Sequence, residues 1–173
     1  MVMNNIENLL KNKRSGILKK WNDVILETYP NDTQRFFKKE KDGFANPVGL
    51  IISKEMGIIY DEMVKWEDKT NLVSAFDKIV RIRAVQDFDP SGAVGFVLRL
   101  RKIIRNELEN ISEDHVEGLE EIEDRIDEMA LIAFDIYEKC RQKIYDLRVN
   151  EVRNQVGRLL ERANLTCEIA SQE

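Results

Sequence analysis

His115, Cys140 and Cys167 are the side chains of this 173-residue chain best suited by type to metal binding or nucleophilic chemistry. Their settings argue against both. A proximal haem ligand sits mid-helix on an apolar wall, whereas His115 lies in the acidic stretch SEDHVEG. The Glu-x-x-His pattern of carboxylate-bridged metal sites fails because Ser112 stands three residues before His115. A phospho-accepting histidine would be followed by an apolar, proline-containing stretch, and VEGLEEIED is not one. One histidine and two cysteines cannot supply a structural zinc set. No histidine base is placed beside either cysteine, and neither a Gly-x-Ser-x-Gly elbow nor a phosphate loop is present. The expectation is a non-enzymatic protein with no catalytic residue, metal or cofactor, in which His115 is solvated, Cys140 packs as a small hydrophobe and Cys167 is exposed.

Charge narrows the partners. The chain carries 27 basic and 32 acidic residues, a formal charge of −5, which disfavours general binding to nucleic acid or anionic membranes. Residues 112 to 128 hold nine acids and one base, Arg125. Such a face can bind a basic partner or cations, or it is only solvated. It can also neutralise the chain's own bases, because residues 77 to 105 contain seven bases and three acids. No apolar run reaches the roughly 18 residues of a membrane span, and the N-terminus does not read as a signal peptide. A cytoplasmic location is expected.

The elements that position these residues are all helices. Asn46-Pro47 and Asp89-Pro90 each pair a capping side chain with a proline at the first helical position. Ser112, followed by Glu113 and Asp114, marks a third start. Helices are expected over about 4–28, 32–40, 47–66, 71–88, 90–110 and 113–164, with no sheet. The fold class is therefore all-α, a single helical domain of about six helices over residues 1–173. Its globular part is expected over about 4–147, a heptad extension over about 145–164 and a short tail over 165–173.

Two irregularities point to function. The apolar line Leu72, Phe76 and Ile79 of the fourth helix continues into Arg83 and Gln86, with Asp87 beside them. Arg83 either pairs with Asp87 and caps carbonyls of a neighbouring turn such as FANPVG, or forms with Gln86, Asp87 and Asn46 a polar core site for a small ligand. In the last helix the apolar line runs from Leu119 to Leu147 on one face. A second line through Tyr145, Val149, Val152, Val156 and Leu159 follows heptad spacing on another. Fifty or so helical residues outreach a compact domain of this size. The helix must therefore break, for example near Gly157, and fold back, or project and pair. Those five residues are the candidate interface of a homodimer or of a contact with a separate output protein.

The segments FANPVG (44–49), IVRIRAVQDFDPSGAVGFV (79–97) and AFDIYEKCRQKIYDLRVNEVRNQVGRLLERAN (133–164), with WNDVILETYP (21–30), resemble the N-terminal domain of RsbRD-type proteins, the RsbT co-antagonist family of bacterial stress signalling. The matching signature is Phe44, Asn46, Pro47 and Gly49; Arg81, Arg83, Gln86, Asp87 and Phe88; and Arg148, Asn150 and Glu151. The resemblance implies a helical input domain in the broad company of the non-haem globin-like sensor domains of stressosome proteins, usually dimers that feed an output domain. Here the chain stops at Glu173, so a stand-alone regulatory module is expected. The alternatives are an adaptor that docks an output protein without binding a ligand and a cofactor-binding globin-like protein.

Overall fold

The computed structural model describes residues 2–40, 44–108 and 115–163, and among them every regular element is a helix. In chain order these are α1 (Val2–Leu26), α2 (Asn31–Lys39), α3 (Pro47–Lys65), α4 (Lys69–Val85), α5 (Pro90–Glu107) and α6 (Val116–Arg162). The expected all-α class with a long final helix holds. Ser112 and Cys167 lie outside the described residues; described α6 begins after His115, whose side chain makes no capping bond.

Helix starts follow the caps. Asn46 Oδ1 accepts from the Gly49 backbone N–H at 2.9 Å and Asp89 Oδ1 accepts from Gly92 N–H at 2.6 Å, each ahead of its proline. Asp68 does the same for α4 through Thr70. Asn46 also donates from Nδ2 to the carbonyls of Glu40 (3.1 Å) and Phe37 (3.4 Å), so it ties the end of α2 to the start of α3. Asn46→Ala removes the cap and leaves those carbonyls short of a donor. The expected cost is about 2 kcal/mol, read as a lowered urea midpoint.

The core lies where α1, α3, α4, α5 and α6 converge. Ile6, Leu10, Ile17, Trp21 and Ile25 fall on one face of α1 at helical spacing and are fully buried. Two polar tips fix that helix: Trp21 Nε1 donates to the Phe96 carbonyl at 2.7 Å, and Tyr60 Oη donates to the Leu10 carbonyl at 2.9 Å. Gly118 lets α6 approach α1, because a Cβ there would stand 2.9 Å from Ile6. α4 packs between α3 and α6, and α5 packs between α1 and α6.

Charges are arranged as internal neutralisation, one of the readings the sequence left open. Lys69 of α4 pairs with Glu128, Arg101 of α5 with Asp127, and Arg105 with Glu123, all acids of the first half of α6. The lone base of that stretch, Arg125, is buried. Its Nη1 donates to the Met63 and Val64 carbonyls at 3.0 and 2.9 Å, and its guanidinium lies 5.6 Å from the Trp66 ring. Arg125 thereby caps the end of α3, where Trp66 turns the chain through a left-handed conformation at φ 53°.

α6 does not break. Its 47 residues run through Gly157 to Arg162 and extend about 70 Å at 1.5 Å per residue. Its last buried side chains are Ile136 and Tyr137; Cys140 and Ile144 are half-buried, and nearly everything beyond them stands exposed. Of the two outcomes the length allowed, projection is the one observed.

Candidate functional site

The end of α4 is built as a Schellman turn. Phe88 N–H donates to Arg83 O at 3.2 Å and Asp87 N–H to Ala84 O at 3.3 Å, the paired closure of that motif. The left-handed position belongs to Asp87, at φ 59°, where glycine is usual. The motif brings the residue after the turn back onto the last helical turn. In this chain that contact sets the Phe88 ring 4.0 Å from the Arg83 guanidinium.

Arg83 has no solvent exposure. Its guanidinium sits among three rings, with Tyr29 and Phe96 at 5.3 and 5.9 Å beside Phe88. Nη2 donates to Thr28 Oγ1 at 2.8 Å and to the Gly92 carbonyl at 2.7 Å. Nε and Nη1 are buried without a hydrogen-bond partner. Desolvation pulls the guanidinium below its ordinary pKa, partly countered by the neighbouring Tyr29 phenol. Burial raises Tyr29 in turn, against the Arg83 charge.

The four residues expected to share a polar core site are thus separated. Arg83 does not pair with Asp87, because the left-handed turn swings the Asp87 carboxylate out to solvent. It caps Gly92 at the start of α5 and not the FANPVG loop. Gln86 is exposed and uses Oε1 to accept from the Tyr29 hydroxyl at 3.0 Å. Asn46 is an α3 cap, one layer away: it bonds the Phe37 carbonyl, and the Phe37 ring meets Tyr29 edge-on at 5.3 Å.

What the 86–88 turn does reach is α6. Asp87 accepts from Arg141 Nη1 at 2.6 Å and lies 3.6 Å from Arg148. Arg141 also donates to the Ala84 carbonyl at 3.2 Å, and the Tyr137 hydroxyl donates to the Phe88 carbonyl at 2.6 Å. One short turn therefore carries the wall of the Arg83 cage on one side and a clamp on α6 on the other. Sequence reasoning missed Arg141, Tyr29 and Thr28, since contacts across 50 or more residues leave no local pattern, and it missed Phe96, which lies on the next helix and whose approach to Arg83 depends on how α4 and α5 pack. The Arg83–Phe88 contact had a signal, a spacing of five ending just before a proline-started helix.

Arg141, and next Arg148, hold the Asp87 carboxyl below the usual carboxylate range. A depressed folded-state value means that the clamp is complete above the ordinary aspartate pKa of about 4 and is lost as pH falls through the lowered value. Asp87→Asn keeps a residue that tolerates the left-handed turn while removing the charge. Faster amide exchange is expected in residues 138–150 with the bundle core unchanged, and acidification of the unaltered chain should give the same local loosening.

Beyond the clamp, Tyr145, Val149, Val152, Val156 and Leu159 are exposed along one face of α6. At 100° per residue the exposed Leu131 and Phe134 fall on that same face. The stripe therefore runs along both the bundle-bound and the projecting parts of α6. Arg148 and Arg153 flank its middle, around Val149 and Val152.

Among the described residues no group of three or more His, Cys, Asp and Glu could hold a metal, and no helix is long and apolar enough to cross a membrane. Residues 15–161 match the model of the RsbT co-antagonist protein RsbRD N-terminal domain, and the chain belongs to that family, a regulatory signalling one. An uncharacterized protein of Archaeoglobus fulgidus is 28% identical over 144 residues, covering 80% of this chain and 83% of that protein. No solved structure matches the chain.

Proposed function

We propose that this domain is a non-enzymatic, cytoplasmic signal-transduction module that pairs with a second copy through α6 and transmits a change in the bundle to the paired helices. The observation that carries the reading is the unpartnered apolar stripe on α6 from Leu131 to Leu159. A helix with a core-facing line and a second apolar line needs two partners, and the bundle supplies only the first. Heptad spacing over its last third suits another helix. Membership of a signalling family supports the same reading. Transmission is proposed to run from the Arg83 cage through the turn at Gln86, Asp87 and Phe88 to Arg141 and Arg148, a continuous set of contacts able to bias how α6 leaves the bundle.

Light scattering on the full chain and on a chain ending at Asn150 tests the pairing. A dimer that becomes a monomer on truncation is expected. A monomeric full chain overturns self-pairing and favours the second reading, an adaptor that docks an output protein without a ligand. Arg148 and Arg153 favour that alternative specifically, because both present positive charge beside the stripe and suit an acidic partner helix.

A further inference from the structure

We propose that the groove between α4 and the far side of α6 binds a small amphiphilic carboxylate, with its alkyl body against Val85, Ile136, Ile144 and Leu147 and its head group between Lys139 and Lys143. The groove arises from a mismatch in length. The core-facing stripe of α6 continues through Ile136, Cys140, Ile144 and Leu147, but the helix that covers it, α4, stops at Val85. Leu147 and Val85 are consequently 63% and 67% exposed, on opposite banks of a concavity of about 290 Å³. That volume is at the lower end of the range for small-molecule sites, which pair an apolar lining with a few polar groups.

Charge selects the head group. Four charged side chains line the groove: Asp77, Arg81, Lys139 and Lys143. Asp77 and Arg81 neutralise one another through two bonds of 2.8 Å. Lys139 and Lys143, one turn apart on α6, have no ion pair among the described residues. The net charge left over an apolar floor is positive, which favours an anion with a hydrocarbon tail over a neutral or cationic amphiphile. The groove lies on roughly the opposite side of α6 from the Tyr145–Leu159 stripe, by the 100° step per residue, so ligand and second copy can bind together. A bound chain would bridge α4 and α6 next to the Asp87 clamp. The proposal thus gives the signalling reading a ligand class and rests on that reading only for its purpose.

Cys140 lines the groove and reports on it. In the Cys167→Ser chain, alkylation by iodoacetamide followed by intact mass measures the accessibility of that one thiol. Saturating octanoate, below its micellar concentration, is expected to slow Cys140 alkylation at least tenfold. Octyl glucoside and octyltrimethylammonium at the same concentration should leave the rate within twofold. Lys139→Glu with Lys143→Glu, both at exposed positions, should weaken octanoate protection at least tenfold with an unchanged helical circular dichroism spectrum. No protection by octanoate overturns the proposal, as does equal protection by all three amphiphiles or an unaltered response in the double variant. A second variant, Leu147→Asp, should also abolish protection by removing the apolar floor. Light scattering on the same samples reports self-pairing separately, so failure of the groove and failure of the dimer are distinguishable.

Discussion

Replacing Val152 and Val156 together by aspartate is expected to convert the proposed dimer into a monomer while leaving the bundle intact. Both side chains are about half exposed in the isolated chain, so the change removes little packing from the fold itself. Across a two-fold helix pair it removes four buried valines, each contributing roughly 1.5 kcal/mol, and sets carboxylates in the seam. The combined loss of about 6 kcal/mol corresponds to roughly four decades in dissociation constant. Sedimentation velocity should show the monomer at micromolar concentration, with the helical circular dichroism spectrum unchanged and any fall in unfolding temperature limited to what loss of the partner by mass action requires. Glu151→Gln with Arg158→Gln, off the stripe, is the control that should remain a dimer. A double aspartate variant that still sediments as a dimer would place the self-contact elsewhere and end the case for the seam.

The difference between what the sequence discloses and what it withholds follows the range of the interactions. Asn46-Pro47 and Asp89-Pro90 announce α3 and α5 because a cap acts within three residues. The acidic start of α6 is legible as a counterweight to the bases of α4 and α5, since net charge over a segment survives ignorance of the exact partners. The stripe at Tyr145, Val149, Val152, Val156 and Leu159 is legible from its spacing alone. The end of α4 is not, because its Schellman turn uses aspartate where glycine would give the signal, and the helix stops at Val85 instead of reaching Phe88. That early stop decides the rest. It turns Asp87 outward to Arg141, frees Arg83 for the rings, and leaves the apolar line of α6 longer than its cover. Asn46 illustrates the same limit: its polarity is explained by a local cap, and periodicity cannot distinguish that from membership of a buried site.

Arg83→Met is expected to leave the protein as stable as before or to stabilise it by up to about 2 kcal/mol, although the side chain removed is a fully buried cation. Burying a guanidinium costs several kcal/mol unless partners offset it, and Arg83 has no carboxylate, with Nε and Nη1 unbonded. Its offsets are two hydrogen bonds and the faces of Phe88, Tyr29 and Phe96. Methionine is unbranched like the arginine stem though shorter, forgoes the desolvation cost and can make sulfur contacts with the same rings. Arg83→Ala leaves a cavity instead and should cost about 3 kcal/mol, so urea denaturation of the two variants separates packing from charge. A loss of 2 kcal/mol or more in Arg83→Met would show that the cation itself holds the fold together. Where methionine is tolerated, stability does not require the guanidinium, and the proposed transmission through Phe88 to the α6 clamp is the role left to test. Disulfide formation between two copies carrying Val152→Cys reads the spacing of the paired helices. Its rate should change several-fold when Arg83→Met is added, whereas an identical rate would separate the cage from the helix and leave the pairing as a fixed scaffold.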